Sequence, residues 1–288
     1  MEKRRIKLIV LVVSLAVLLT ALLVAALWLA FGKGGKAPAS AQTEPTETTP
    51  PTTLPPPTEN VFTPMDFAYD GDYLTCLTDE SYLGVDVSSH LKDVEWDKIR
   101  EAGFTFAMVR VGFRGYGQEG VMKQDAYAIQ NYEEATAQGL KVGVYFFSQA
   151  ITPEEALEEA EFLLQLIEGW DLQMPIAYDW ECLADDYRTV DVDSRTLTDC
   201  VKAFCNRIRE AGYEPMIYFN PSQSRRQLYM EELVDYKFWL AMYSDYMTYE
   251  YKVDMWQYTN QGTVPGIAGN ADINLWFPYG AEQEPAIS

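Results

Sequence analysis

The sequence contains a single histidine, His90, only four cysteines, and 22 basic residues against 43 acidic ones. With one histidine, zinc sites built on several His and Cys ligands are excluded, and any Ser-His-Asp triad or Cys-His dyad would have to use His90. Cys76, Cys182, Cys200 and Cys205 form no C-x-x-C pair, which removes the usual dithiol signature. No Gly-rich phosphate loop of the G-x-G-x-x-G or G-x-x-x-x-G-K type follows the first apolar strand, so the main reason to expect a nucleotide fold is missing. The formal net charge of -21 argues against nucleic acid and anionic lipid surfaces as partners.

Long apolar runs are confined to one place. "IKLIVLVVSLAVLLTALLVAALWLAF" (6–31) carries one charge, Lys7, and is long enough to span a bilayer as a helix. The basic flank "MEKRR" (1–5) favours a cytoplasmic N-terminus with everything beyond the helix outside. The expectation is an uncleaved, single-pass signal anchor in the cell membrane. A cleaved signal peptide is the competing reading, although its apolar core is usually about 7–15 residues. Residues 32–60 follow, rich in Pro and Thr and nearly free of apolar side chains. Such a stretch cannot bury a core and reads as an extended spacer. If the topology is as expected, the cysteines face an oxidising side. One or two disulfides are then possible, with three connectivities open, although Cys200 and Cys205 sit five apart on a helix and poorly placed to bridge each other.

The remainder alternates between strand and helix. A hairpin about Asp70-Gly71 is expected within 61–81, as a lead-in to a barrel over 82–280, with a tail at 281–288. Apolar runs at 82–88, 104–113, 140–148, 174–181, 214–220, 237–243, 253–258 and 271–277 give eight strands, and helical spacing appears at 96–103, 125–139, 152–169 and 193–212. Thr152 as N-cap and Pro153 at the first helical position mark the third helix start. Helical connections early and short ones late predict an α/β fold: an irregular parallel (β/α) TIM-like barrel of eight strands with fewer than eight helices, preceded by the transmembrane helix.

In such barrels the C-terminal strand ends build the active site. Four acids stand at or near strand ends: Asp86 in "GVDVSS", Asp179 and Glu181 in "AYDWE", and Asp272 in "NADIN". On a strand, residues two apart point to one face, so Asp179 and Glu181 emerge side by side. Arg110, Tyr145, Tyr218, Asn220, Tyr243, Trp256 and Gln257 also lie at strand ends and are candidates for substrate contact. Aromatic faces stack on pyranose rings while carboxylates and amides bond hydroxyls, so acids ringed by aromatics suit a sugar cleft. A lone D-x-E is more often a solvated turn, and strand aromatics more often fill a core. The coincidence of four acids in one barrel selects the functional reading.

The ordered set "LGVDVSSH", "FTFAMVRVGFR", "GLKVGVYFFSQA", "PIAYDWE", "YEPMIYFN", "FWLAMYS" and "MWQYTNQGTVPGIAGNADINLW" resembles glycoside hydrolase family 25, the muramidases, across about residues 82–277. The resemblance implies an extracellular hydrolase of the β-1,4 bond between N-acetylmuramic acid and N-acetylglucosamine in peptidoglycan, working without a metal or organic cofactor. Glu181 matches its general acid, with Asp179 as stabiliser or nucleophile and Asp86 and Asp272 as the first- and last-strand acids. Its partners would be glycan strands and, through residues 6–31, the membrane. One departure is His90-Leu91-Lys92, where many members have Gln-Gly. A non-catalytic wall-binding module, or a hydrolase of another acetamido polymer such as chitin, are the alternative readings.

Overall fold

The computed structural model describes residues 54, 56–182 and 187–278. The expected anchor 6–31 and tail 281–288 lie outside them, and among the described residues no helix is long and apolar enough to cross a membrane. The described part of the linker is not free-standing. Lys252 N donates to Thr58 O at 2.8 Å, Asn60 N donates to Glu250 O at 2.9 Å, and Glu59 bridges to Tyr251.

The lead-in hairpin forms as its turn chemistry demands. β1 (Phe67–Asp70) pairs antiparallel with β2 (Tyr73–Cys76), and the turn takes Gly71 at φ 64°, a conformation glycine adopts without strain. Its inner face carries Phe67, Leu74 and Cys76, all buried. Phe67 meets Trp256 edge-on at 5.0 Å, Tyr73 meets Phe104 at 4.9 Å, and Leu74 N donates to the Tyr258 hydroxyl at 3.3 Å. The hairpin thus supplies an apolar outer layer where the barrel has no helix of its own.

The barrel strands and their connections follow: β3 (Tyr82–Val87), α1 (Trp96–Glu101), β4 (Phe106–Arg114), β5 (Met122–Gln124), α2 (Ala128–Ala137), β6 (Lys141–Ser148), α3 (Pro153–Leu166), β7 (Ile176–Trp180), α4 (Ser194–Glu210), β8 (Pro215–Phe219), α5 (Pro221–Arg226), β9 (Lys237–Ala241), β10 (Met255–Gly262) and β11 (Ala271–Trp276). Thr152 Oγ1 accepts from Glu155 N at 3.3 Å, so α3 is capped as its sequence predicts. Strand pairing runs β3-β11-β10-β9-β8-β7-β6-β4, and a β3–β4 pairing closes the ring. The short β5, which adds to β4 outside the ring, and α5 are not among the elements expected from the sequence.

The expectation of an all-parallel barrel needs correcting. Strands β3, β4 and β6 through β10 are mutually parallel, but β11 runs antiparallel to both β10 and β3. A parallel return needs a crossover of about a dozen residues or more, and only residues 263–270 separate β10 from β11. The reversal has a functional consequence. Asp272, near the start of β11, comes to the rim where the other strands end.

All four cysteines are unpaired, Cys76, Cys200 and Cys205 buried and Cys182 exposed. If the hairpin is structural cover, Phe67→Ala should cost about 3–5 kcal/mol through lost burial and the cavity left on Trp256. Urea denaturation monitored by tryptophan fluorescence should show that loss as a lowered midpoint with an unchanged slope.

Candidate active site

A cleft of about 300 Å³ opens at the C-terminal ends of the parallel strands. Asp86, Asp179, Glu181 and Asp272 all line it, with Arg110, Tyr145, Tyr218, Tyr243 and Gln257. Register explains the convergence. Asp86 on β3 lies directly opposite Asp272 on β11, and Asp179 on β7 sits between Phe147 of β6 and Tyr218 of β8.

Glu181 stands one residue beyond β7, where the ladder no longer holds the backbone. Side chains take over. Gln149 Nε2 donates to the Glu181 carbonyl at 2.6 Å, Gln223 Nε2 donates to the Trp180 carbonyl at 2.8 Å, and Trp180 Nε1 donates to Ala150 O at 2.8 Å. These bonds carry strand geometry one residue further and keep Glu181 on the same side as Asp179.

Asp86 is the most completely specified acid. Its Oδ2 accepts from Gln257 Nε2 and Asn274 Nδ2, both at 2.8 Å. Trp239 Nε1, which can only donate, gives its hydrogen to Asn274 Oδ1 at 2.8 Å, so the Asn274 amide must present N–H to Asp86. Gln257 Oε1 accepts from the hydroxyls of Tyr218 and Tyr243 at 2.9 and 3.1 Å. Two N–H donors on one carboxylate favour its ionised form.

Burial works against ionisation throughout the cleft. It lifts Asp86 to about 6 despite the two amide hydrogen bonds. Burial, then the charges of Asp86 and Glu181, lift Asp272 to about 8. Asp179 rises well above the ordinary carboxylate range, first through burial and then through Glu181 and Asp86, with Arg110 opposing. Glu181 also rises through burial, offset by a hydrogen bond shared with Asp179. Burial and mutual repulsion thus disfavour charge on Asp179 and Glu181 alike, and oppose four charges in the cleft at once.

Three sequence expectations change. Trp256 is fully buried outside the ring, donating Nε1 to Met242 O at 2.7 Å, because alternation along β10 sends Gln257 inward and Trp256 outward. Asn220 caps α5, its Oδ1 accepting from Ser222 N at 2.9 Å and Gln223 N at 3.0 Å, and does not line the cleft. Arg110 does line it, but its Nε is bonded to buried Asp125 at 2.8 Å, so its main role is to hold positive charge near Asp179. His90 and Leu91, of the segment that departs from the family pattern, line the cleft, and so do Trp239, Tyr116 and Phe147, which the strand-end reading leaves out together with Asn274 and Gln149. Inward parity on β9 and β11 would have found Trp239 and Asn274. Nothing local marks the others.

Comparison with known proteins adds the following. The model of the family "Glycosyl hydrolases family 25" matches residues 85–267. The autolytic lysozyme of Clostridium acetobutylicum is 24% identical over 195 residues, covering 66% of this chain and 54% of that protein. The modular autolysin LytC from Streptococcus pneumoniae, solved in complex with a synthetic peptidoglycan ligand, superposes with a TM-score of 0.61 at 25% identity over 68% of this chain and 47% of LytC. A family 25 glycosyl hydrolase from Bacillus anthracis shares the fold with a TM-score of 0.58 at 21% identity, covering 70% and 91% of the two chains. The match thus spans about half the length of the autolytic lysozyme and of LytC.

Two outcomes follow from the electrostatics. Asn274→Ala removes a hydrogen bond to a charged acceptor, worth about 1.5–3 kcal/mol, so the Asp86 carboxyl should titrate about one to two pH units higher by 13C NMR. Asp272 is protonated in the folded chain and ionised in the unfolded one between its ordinary 3.8 and about 8, so its contribution to stability falls as pH rises through that window. Asp272→Asn should flatten the fall in denaturation free energy from pH 4 to pH 8 and leave the variant the more stable of the two at pH 8.

Proposed function

The chain belongs to glycosyl hydrolases family 25, and from that membership we propose that it is a muramidase, hydrolysing the β-1,4 bond between N-acetylmuramic acid and N-acetylglucosamine in peptidoglycan. The observation that carries the proposal is the convergence of Asp86, Asp179, Glu181 and Asp272 in one buried, aromatic-lined cleft. The lysozyme activity in the name of the Clostridium relative and the peptidoglycan ligand of LytC support the choice of polymer.

Glu181 is the more accessible of the pair and serves as general acid, giving its proton to the glycosidic oxygen as the bond breaks. Retaining glycosidases that use a carboxylate nucleophile place their two carboxyls about 5–5.5 Å apart, on either side of the anomeric carbon. Asp179 and Glu181 project from one strand end, two residues apart, rather than from facing sides of the cleft. That placement favours attack by the sugar's own acetamido oxygen. Asp179 then accepts a hydrogen bond from the acetamido N–H and stabilises the positive charge that forms, and Glu181, now ionised, takes a proton from the water that completes hydrolysis. Asp86, held by the amides of Gln257 and Asn274, supplies negative potential beneath the oxocarbenium-like transition state.

The proposal places the enzyme on the outer face of the cell membrane, anchored through residues 6–31 with its N-terminus inside. Pro56 and Pro57 pack beside Glu214, Lys237 and Asp254, at the starts of β8, β9 and β10. A tether arriving there meets the barrel at the end opposite the carboxyls and leaves the cleft free for the wall.

The test is digestion of purified peptidoglycan by the wild type and by Glu181→Gln, with borohydride reduction and mass spectrometry of the new ends. Muramitol ends are expected, with turnover by the variant lower by about 10²–10⁴-fold. Glucosaminitol ends would put cleavage at the other bond, and wall binding without new ends would make the domain a binding module.

A further inference from the structure

The β4–β5 connection, "GYGQEG" (115–120), has G-x-G-x-x-G spacing, yet it turns into β5 rather than opening a helix, so it offers a phosphate no helix N-terminus. Its glycines serve packing instead. A Cβ on Gly120, at φ 53°, would stand 1.8 Å from Arg188 Nη1. The side chain this loop carries into the cleft is Tyr116, 42% exposed. Tyr116 stacks on Tyr187 with ring centroids 4.5 Å apart at 21°, and meets Phe147 edge-on at 5.7 Å and 77°.

We propose that the Tyr116–Tyr187 stack is a sugar-binding platform that takes an N-acetylated pyranose of the glycan strand beside the sugar being cleaved. The proposal rests on the muramidase reading and adds to it a subsite. Exposed aromatic ring surface on a polar cleft matches the apolar face of a pyranose, and Tyr116 lines the same cleft as the four acids. Tyr243, 53% exposed, lines the cleft from the end of β9, four strands round the ring from β4. Aromatic surface on both sides of the acids suits a polymer lying across the cleft, with sugars on either side of the scissile bond.

A platform is useful only if it is rigid before the ligand arrives, because ordering it on binding would cost affinity. Two arginines hold this one. Arg188, next to Tyr187, donates its backbone N–H to Tyr116 O at 3.4 Å and its Nη2 to Glu155 Oε1 at 2.6 Å. Arg114 donates Nη1 to Gly120 O at 3.1 Å and Nε to buried Glu159 at 2.7 Å, while Ser148 Oγ donates to the other Glu159 oxygen at 2.6 Å. Both loops are thereby fastened to α3. Removing charges from this ion-pair cluster would disturb the fold, so the test is directed at the rings.

The experiment uses the full chain in detergent, with a peptide-free peptidoglycan tetrasaccharide titrated calorimetrically into Glu181→Gln and into the same protein carrying Tyr116→Ala, Tyr187→Ala or Tyr116→Phe. Each alanine change is expected to weaken binding about 3- to 10-fold, the range of one aromatic stacking contact, and Tyr116→Phe, which keeps the ring, should recover most of the loss. On the otherwise wild-type enzyme, Tyr116→Ala should raise KM on glycan strands more than it lowers kcat. Equal affinity in the alanine and parent proteins overturns the platform, as does absence of tetrasaccharide binding by Glu181→Gln, or a Phe variant as weak as the Ala variant. A wild type that binds the tetrasaccharide with the expected tyrosine dependence but cleaves no peptidoglycan would sink the muramidase reading and leave the platform standing.

Discussion

Four carboxyls sharing one desolvated cleft is the constraint on which the rest of the structure depends. Two of them, Asp86 and Asp272, face each other across adjacent strands, an arrangement that is destabilising if both are charged. The fold does not neutralise them with a matching set of cations. Among the described residues Arg110 is the one cleft-lining arginine, and it is already bonded to Asp125, which also accepts from the backbone N–H groups of Ser89 and Tyr127. The cleft instead keeps protons. Asp86 receives N–H donors that oppose the effect of burial, while Asp179 and Asp272 are raised by burial and by mutual repulsion. A site that needs an acid at neutral pH obtains one by having more carboxyls than it can charge.

The departure from a regular barrel serves that crowding. Had β11 run parallel, its first residues would lie at the closed end of the barrel and Asp272 would be far from Asp86. A short return from β10 makes antiparallel pairing the only route, and that reversal brings the start of the last strand to the rim of the cleft. The same shortness deprives β10, β11 and β3 of covering helices. The lead-in hairpin fills that space with Phe67 and Leu74. The gathering of the acids and the outer β layer are thus two consequences of one short connection.

What the sequence reveals divides along lines of physical locality. The eight strands and the four acids are legible because strand runs and strand-end acids are local patterns, and the barrel rule then says which ends matter. Orientation within a strand is legible only if alternation is followed strictly. Trp256 and Gln257 are neighbours, and reading both as cleft residues ignores that one must face out. Asn220 is a similar case, since an Asn before Pro221 is as good a helix cap as a ligand contact. The Arg114–Glu159 pair and the Arg188–Glu155 contact, 45 and 33 residues apart in sequence, leave no local trace. The hold of Gln149 on Glu181 is equally silent until the fold brings β6 and β7 together.

Beneath the acids the barrel interior is filled by Phe106, Met108, Tyr145, Met174, Ala177, Met216, Trp239 and Met255. Gly84 permits the Phe106 ring to lie across β3, where even a Cβ would stand 2.3 Å from it. This floor does more than stabilise. It excludes water from below, so the carboxyls are solvated only from the cleft mouth, and the desolvation that heads the causes for each of the four has its source here. Two residues span both regions. Tyr145 and Trp239 belong to the apolar packing and also line the cleft, and Trp239 uses its one polar atom to fix Asn274 and through it Asp86. The packing that raises the carboxyl pKa values and the hydrogen bond that holds one of them down therefore meet in a single side chain, and a change at Trp239 alters both together.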